Sequence, residues 1–162
     1  MEATGVNRTP VGPPFRTELA EVCWRLNAAG ARYLVAGARA LQLWGSARAT
    51  RDIDILIEPT EQNAQRVLDA LSTLGYGFAK EWAAAEVARK FVTIIGDDPR
   101  VDILTLAWSV RYRDAVRSAE RFELEGVSIP VLSLDDLIAS KRTGRPQDDA
   151  DLVVLEEIRR LR

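Results

Sequence analysis

Residues 33–57 read YLVAGARALQLWGSARATRDIDILI, and this stretch decides the fold. Tyr33 to Ala36 is a short apolar run that ends on Gly37, the pattern of a strand turning into a helix. Ala38 to Trp44 has helical character and stops at Gly45. A second strand, Asp52 to Ile57, follows. Alternate strand residues share a face, so Asp52 and Asp54 point one way while Ile53, Ile55 and Ile57 point the other way into a core. Two carboxylates side by side repel and are poor strand formers, so the pair breaks local rules where function tends to sit.

Asp102 repeats the anomaly between Val101 and Ile103. If its strand neighbours the first, three carboxylates converge at one edge of the sheet. At about 4 Å each pair would repel by roughly 4 kcal/mol at an effective dielectric of about 20. A divalent cation relieves that repulsion, and oxygen donors without His or Cys favour magnesium or manganese over zinc. The plain alternative is that Arg48 or Arg51 simply pairs with these acids.

The rest of the chain extends an α+β pattern with a mixed or antiparallel sheet and flanking helices. Residues 1–14 read as a loose arm, and 15–162 as one domain. Leu19, Val22, Cys23 and Leu26 give a first helix its apolar stripe, which places Cys23 in the core. A helix opens at Pro59-Thr60 and ends before Gly75. The region 76–106 reads as strands: 77–79, then 91–95 and 101–104 as a hairpin turning at Gly96-Asp97-Asp98-Pro99. A short helix near 109–118, a hairpin of 122–124 with 127–129, and helices at 134–142 and 147–161 complete the reading.

Composition narrows the chemistry. The chain has no histidine and one cysteine, which removes histidine bases, Ser-His and Cys-His nucleophile pairs and Cys/His zinc sites. The 22 basic against 24 acidic residues argue against binding nucleic acid through a broadly basic surface. No apolar run is long enough to span a bilayer and no signal-peptide core opens the chain, so a cytoplasmic protein without membrane association is expected. Trp24, Trp44, Trp82 and Trp108 are expected as core or cleft walls rather than as base-stacking platforms.

The order Gly37, short helix, Arg48-Ala49-Thr50-Arg51, Asp52-Ile53-Asp54 resembles the first motif of minimal nucleotidyltransferases of the DNA polymerase β superfamily. Val101-Asp102-Ile103 resembles the third carboxylate of that fold, and 132–151 is similar to the close of AbiEii-like and related groups. The resemblance implies an enzyme that transfers a nucleoside monophosphate from a nucleoside triphosphate to a hydroxyl acceptor. It implies that Asp52, Asp54 and Asp102 hold the metals, and that Gly37 and Ala38 meet the phosphates through backbone N–H groups. The acceptor is left open among RNA, a protein side chain and a small hydroxylated molecule, with a toxin–antitoxin partner one setting.

Ala38 stands where the family usually has Gly or Ser, so triphosphate binding is expected to be weaker or differently arranged. A catalytically silent module that binds nucleotide or a partner is therefore the second reading. Among supporting residues, Arg48 either reaches phosphate or neutralises acids, and Thr50 reads as a turn residue. Lys141 lies on the stripe of Leu134, Leu137 and Ile138, so its ammonium either enters the nucleotide cleft or leaves at the helix end. Arg145 pairs with an acid or binds phosphate. Asp148 and Asp151 follow Pro146 at a helix start, where capping outweighs a catalytic role.

Overall fold

The computed structural model describes residues 12–75 and 77–162. The arm expected over 1–14 therefore lies almost wholly outside the described residues. The element order is α1 (Glu18–Ala28), β1 (Tyr33–Ala36), α2 (Gly37–Trp44), β2 (Ile53–Ile57), α3 (Glu61–Ser72), a 3-10 turn (Gly77–Glu81) and α4 (Ala84–Arg89). Then come β3 (Val92–Ile95), β4 (Val101–Leu104), α5 (Tyr112–Ala115), β5 (Glu120–Leu124), β6 (Val127–Val131), α6 (Leu134–Ser140) and α7 (Pro146–Arg160).

The six strands form one mixed sheet in the order β3-β4-β2-β1-β6-β5. The two expected hairpins, β3–β4 and β5–β6, are antiparallel, as is β1–β2. The pairs that set the site are parallel: β2 with β4 and β1 with β6. The strand expected at 77–79 is instead the 3-10 turn, and α4 was not foreseen. Ala83, its N-cap, makes no side-chain cap, so the sequence carries no start signal there.

Ile53, Ile55, Leu56 and Ile57 are fully buried. Helices α1, α3 and α4 pack together, while α2, α6 and α7 form a second group, with α2 lying on β1 and β2. This second group stops short of β4 and β3. Val92 and Ile94 are exposed there, opposite Leu104 and Asp102 of β4. A step therefore forms at the edge of the helix layer, over the start of β2 and β4.

Asn63 ties α3 to the sheet. Its buried amide accepts from the Arg32 N–H at 2.7 Å and donates to the carbonyls of Arg32 and Glu58 at 2.9 Å each. The residues just before β1 and just after β2 are thereby held together. Buried partners left unmet cost more than the bond gained, so Asn63→Ala should lower unfolding stability by about 2–4 kcal/mol. Urea unfolding measures this, and a loss under about 0.5 kcal/mol would show the amide is not holding the strands.

Candidate active site

Parallel pairing of β2 with β4 places Asp54 opposite Asp102 in register. The two carboxylates share a hydrogen bond, and burial first, then the charge of Asp102, pushes the Asp54 carboxyl up to about 7, against a pull downward from Lys141. Asp52 lies just before β2, exposed at the strand mouth, where its charge still reaches Asp54. The reading of Asp52 as a strand residue is thus off by one position. Thr50 is the turn residue expected, its Oγ1 accepting from the Asp52 N–H at 3.2 Å.

Gly37 opens α2 directly against this pair. Its φ is +61°, and a Cβ at that position would stand 1.9 Å from Asp54 Oδ2. Two independent demands, a left-handed backbone and room for a carboxylate, exclude any side chain here. Ala38 is buried and lies outside the lining of the neighbouring cavity, so a hydroxyl at this position has no evident route to a ligand there.

Asp102 has a partner the sequence reading missed. Arg100 grips it with both prongs, Nε to Oδ1 at 2.8 Å and an Nη to Oδ2 at 3.0 Å. Residues 100 and 102 share a strand face, which is the signal that could have found it. Among the described residues no three acid, His or Cys side chains gather closely enough to hold a metal ion. The geometry is a carboxylate pair with Asp52 alongside. Its donors are all hard oxygens, Arg100 is the counter-charge on Asp102, and Gly37 leaves space for Asp54. Oxygen donors of this kind are the chemistry magnesium and manganese take, while in this structure Arg100 occupies both oxygens of Asp102.

The remaining expected residues gather behind this pair. Lys141 is neither free in a cleft nor turned outward: it is mostly buried and bridges Asp148 at 3.5 Å and Asp151 at 3.0 Å. Arg48 pairs with Asp151, not with the strand carboxylates. Arg145 donates to Asp148 at 3.0 Å, and the Thr143 hydroxyl also bonds Asp148. Asp148 and Asp151 are buried counter-ions instead of caps. Burial pushes the Asp148 carboxyl up, but the Thr143 bond and the charges of Lys141 and Arg145 outweigh it and hold the group below its usual range.

A cavity of about 250 Å³ joins the two clusters. Gly37, Asp54, Lys141, Arg145 and Asp148 line it together with Leu104, Leu106 and Trp108. Asp52, Asp102, Arg48, Thr50 and Asp151 stand outside the lining. Chemically, this is a carboxylate beside two cations and a helix N-terminus, the kind of surface that attracts anionic groups.

A family model described as aminoglycoside-2''-adenylyltransferase matches residues 18–155. Among solved structures, one from Thermotoga maritima, described provisionally as a nucleotidyltransferase, is similar in fold. It is 20% identical with a TM-score of 0.50, and the alignment covers 88% of this chain and 87% of that one. No curated protein matches the chain by sequence.

Two predictions follow from the carboxylate pair. Gly37→Ala should cost about 3 kcal/mol in the wild type but only about 1–2 kcal/mol, the left-handed strain alone, in an Asp54→Ala background. Equal costs in both backgrounds would refute the close approach. Folded Asp54 keeps its proton to about pH 7, whereas an unfolded aspartate titrates at 3.8. The folded state therefore binds the extra proton between those values, and stability through this group falls as pH rises from about 4 to 7. In EDTA, Asp54→Asn should raise Tm relative to wild type more at pH 8 than at pH 5, by roughly 3–6 °C. A difference independent of pH would contradict the raised carboxyl.

Proposed function

The chain belongs to the aminoglycoside-2''-adenylyltransferase family and is a nucleotidyltransferase, and from that premise we propose a metal-dependent transfer of a nucleoside monophosphate from a nucleoside triphosphate to an acceptor hydroxyl. The observation that carries this reading is the in-register pairing of Asp54 with Asp102 against Gly37, with Asp54 facing a cavity that Lys141 and Arg145 also line.

Asp54 and Asp102 would hold magnesium or manganese, with Asp52 reached from the strand mouth. The ion, when bound, supplies positive charge to the phosphates and withdraws charge from the carboxylate pair. The residues of the chain do the rest. Backbone N–H groups at the start of α2 offer donors to phosphate oxygens, and Gly37 lets them approach. Arg145, with its side chain largely exposed at the cavity rim, is placed to take a terminal phosphate. Lys141 is fixed by Asp148 and Asp151, so its charge is set before substrate arrives. The acceptor oxygen attacks the α-phosphorus, its proton passes to a carboxylate of the pair, and the bond to the pyrophosphate oxygen breaks. Positioning of this kind supplies most of the rate in such reactions.

For the acceptor, the family description favours an amino sugar. Glu18, Glu21 and Asp98 line a separate depression whose sign suits a polycation. Glu18 reaches Arg39, which in turn donates to the Arg51 carbonyl beside Asp52, so this depression lies toward the carboxylate end of the sheet. Because nucleoside triphosphates are cytosolic, the proposed reaction belongs to the cytoplasm.

Calorimetric titration with each nucleoside triphosphate, with and without magnesium, tests the reading on wild type and on Asp52→Ala/Asp54→Ala. Metal-dependent binding should be present in the wild type and fall at least about a hundredfold in the double variant, since buried charge pairs at ligand sites contribute several kcal/mol. Transfer to amino sugars, RNA and protein should then be compared with labelled triphosphate. Binding of a triphosphate that ignores both metal and the double substitution would refute the proposal. Binding without transfer to any acceptor would favour the silent module instead.

A further inference from the structure

The four tryptophans meet different fates. Trp44 is buried, stands edge-on to Phe122 at 5.1 Å between centroids, and donates through Nε1 to the Leu132 carbonyl at 2.9 Å. Trp24 packs on Phe15 at 5.8 Å and carries the Arg25 guanidinium. Trp82 lies beneath the Lys90 ammonium, 4.9 Å from the ring centroid. Trp108 has none of these roles. Among the described residues its ring enters no aromatic pair, cation–π contact or hydrogen bond, and it is 57% exposed in the wall of the carboxylate cavity.

Its backbone is held against preference. Trp108 has φ 58°, a left-handed conformation that costs a residue with a side chain roughly 1–2 kcal/mol. Ala107 and Val110 exchange reciprocal N–H to carbonyl bonds of 3.0 Å each, closing a tight turn with Trp108 at its tip. An exposed indole kept in a strained turn stabilises nothing visible in the fold. Strain of this kind persists where the surroundings impose it, and it gathers at ligand clamps.

The cavity lining is of two kinds. Charged Lys141, Arg145 and Asp148 come from the end of α6 and the start of α7, while apolar Val92 and Leu104 come from β3 and β4, and Leu106 and Ala107 from the segment that leads to Trp108. A nucleoside triphosphate has the same division, a charged tail and a flat aromatic end. We infer that Trp108 is the platform on which the nucleobase stacks, with the phosphates directed toward Gly37 and Arg145. This inference rests on the proposed nucleotide chemistry and adds the residue that takes the base. Val92 and Leu104, paired across β3 and β4, line the same cavity as the ring. Stacking tolerates any base and grows with ring area, so purines should gain more than pyrimidines.

The test is calorimetric titration in magnesium with ATP, UTP and inorganic tripolyphosphate. It compares wild type with Trp108→Phe, Trp108→Leu and Trp108→Ala, each checked for folding by circular dichroism. The expected result is ATP affinity reduced about tenfold or more in Trp108→Ala and Trp108→Leu, UTP less affected, tripolyphosphate unchanged, and Trp108→Phe close to wild type. The Leu variant keeps apolar bulk without a π face, so it answers if the Ala variant does not fold. Unchanged ATP affinity, or equal weakening of ATP and tripolyphosphate, would overturn the platform while leaving the nucleotide reading intact. Unchanged ATP affinity with lost amino-sugar binding would reassign the ring to the acceptor. Wild type that binds neither ATP nor tripolyphosphate would remove the nucleotide reading, and the platform with it.

Discussion

Two carboxyl groups set side by side on neighbouring parallel strands constrain everything around them. Asp54 and Asp102 are not brought together by a flexible loop; the ladder between β2 and β4 fixes their register. A slip of one residue in either strand would turn its carboxylate into the apolar layer, and in β2 it would bring Ile53 and Ile55 out. The hydrophobic pattern that holds the sheet together therefore also holds the repulsion in place. The fold answers that repulsion locally with partial measures: a raised Asp54 carboxyl, the Arg100 fork and the Lys141 charge.

Lys141, Asp148, Asp151, Arg48, Thr143 and Arg145 form a second charged group. Breaking one member of a buried ionic cluster is costly, because its partners keep their burial and lose their charge balance. The cluster joins the end of α6, the start of α7 and the segment leading to Asp52. Its contribution is to position: it fixes the cations of the cavity relative to the carboxylate pair, and it links the last helix to the first motif.

The parts of the fold readable in advance were those governed by short-range pattern. The Gly37 turn, the alternation at 53–57 and the hairpin around Gly96 to Pro99 all carry their cause within a few residues. Thr50 was equally readable, since its bond is made two positions away. The misses had distant causes. The segment 77–89 lacks a cap and a clear period, so the 3-10 turn reads as a strand at 77–79 and the short helix α4 has no signal of its own. Arg48 meets Asp151 across 103 positions, and nothing local distinguishes that acid from Asp52 or Asp54. The reversal of Asp148 and Asp151 from caps to counter-ions has the same origin. The special place of Trp108 appears only once the other three indoles are seen to be engaged.

The contact between Gly37 and Asp54 makes the two positions a single heritable unit. So long as a carboxylate stands at 54, nothing but hydrogen fits at 37, and selection on the acid is also selection on the glycine. Once the acid is lost, the pressure for empty space disappears and only the milder preference of a left-handed backbone remains. A side chain at the glycine position is thus a scar that records a silenced site in a relative's sequence, readable even where the aspartates of the strand have been replaced by residues that look conservative.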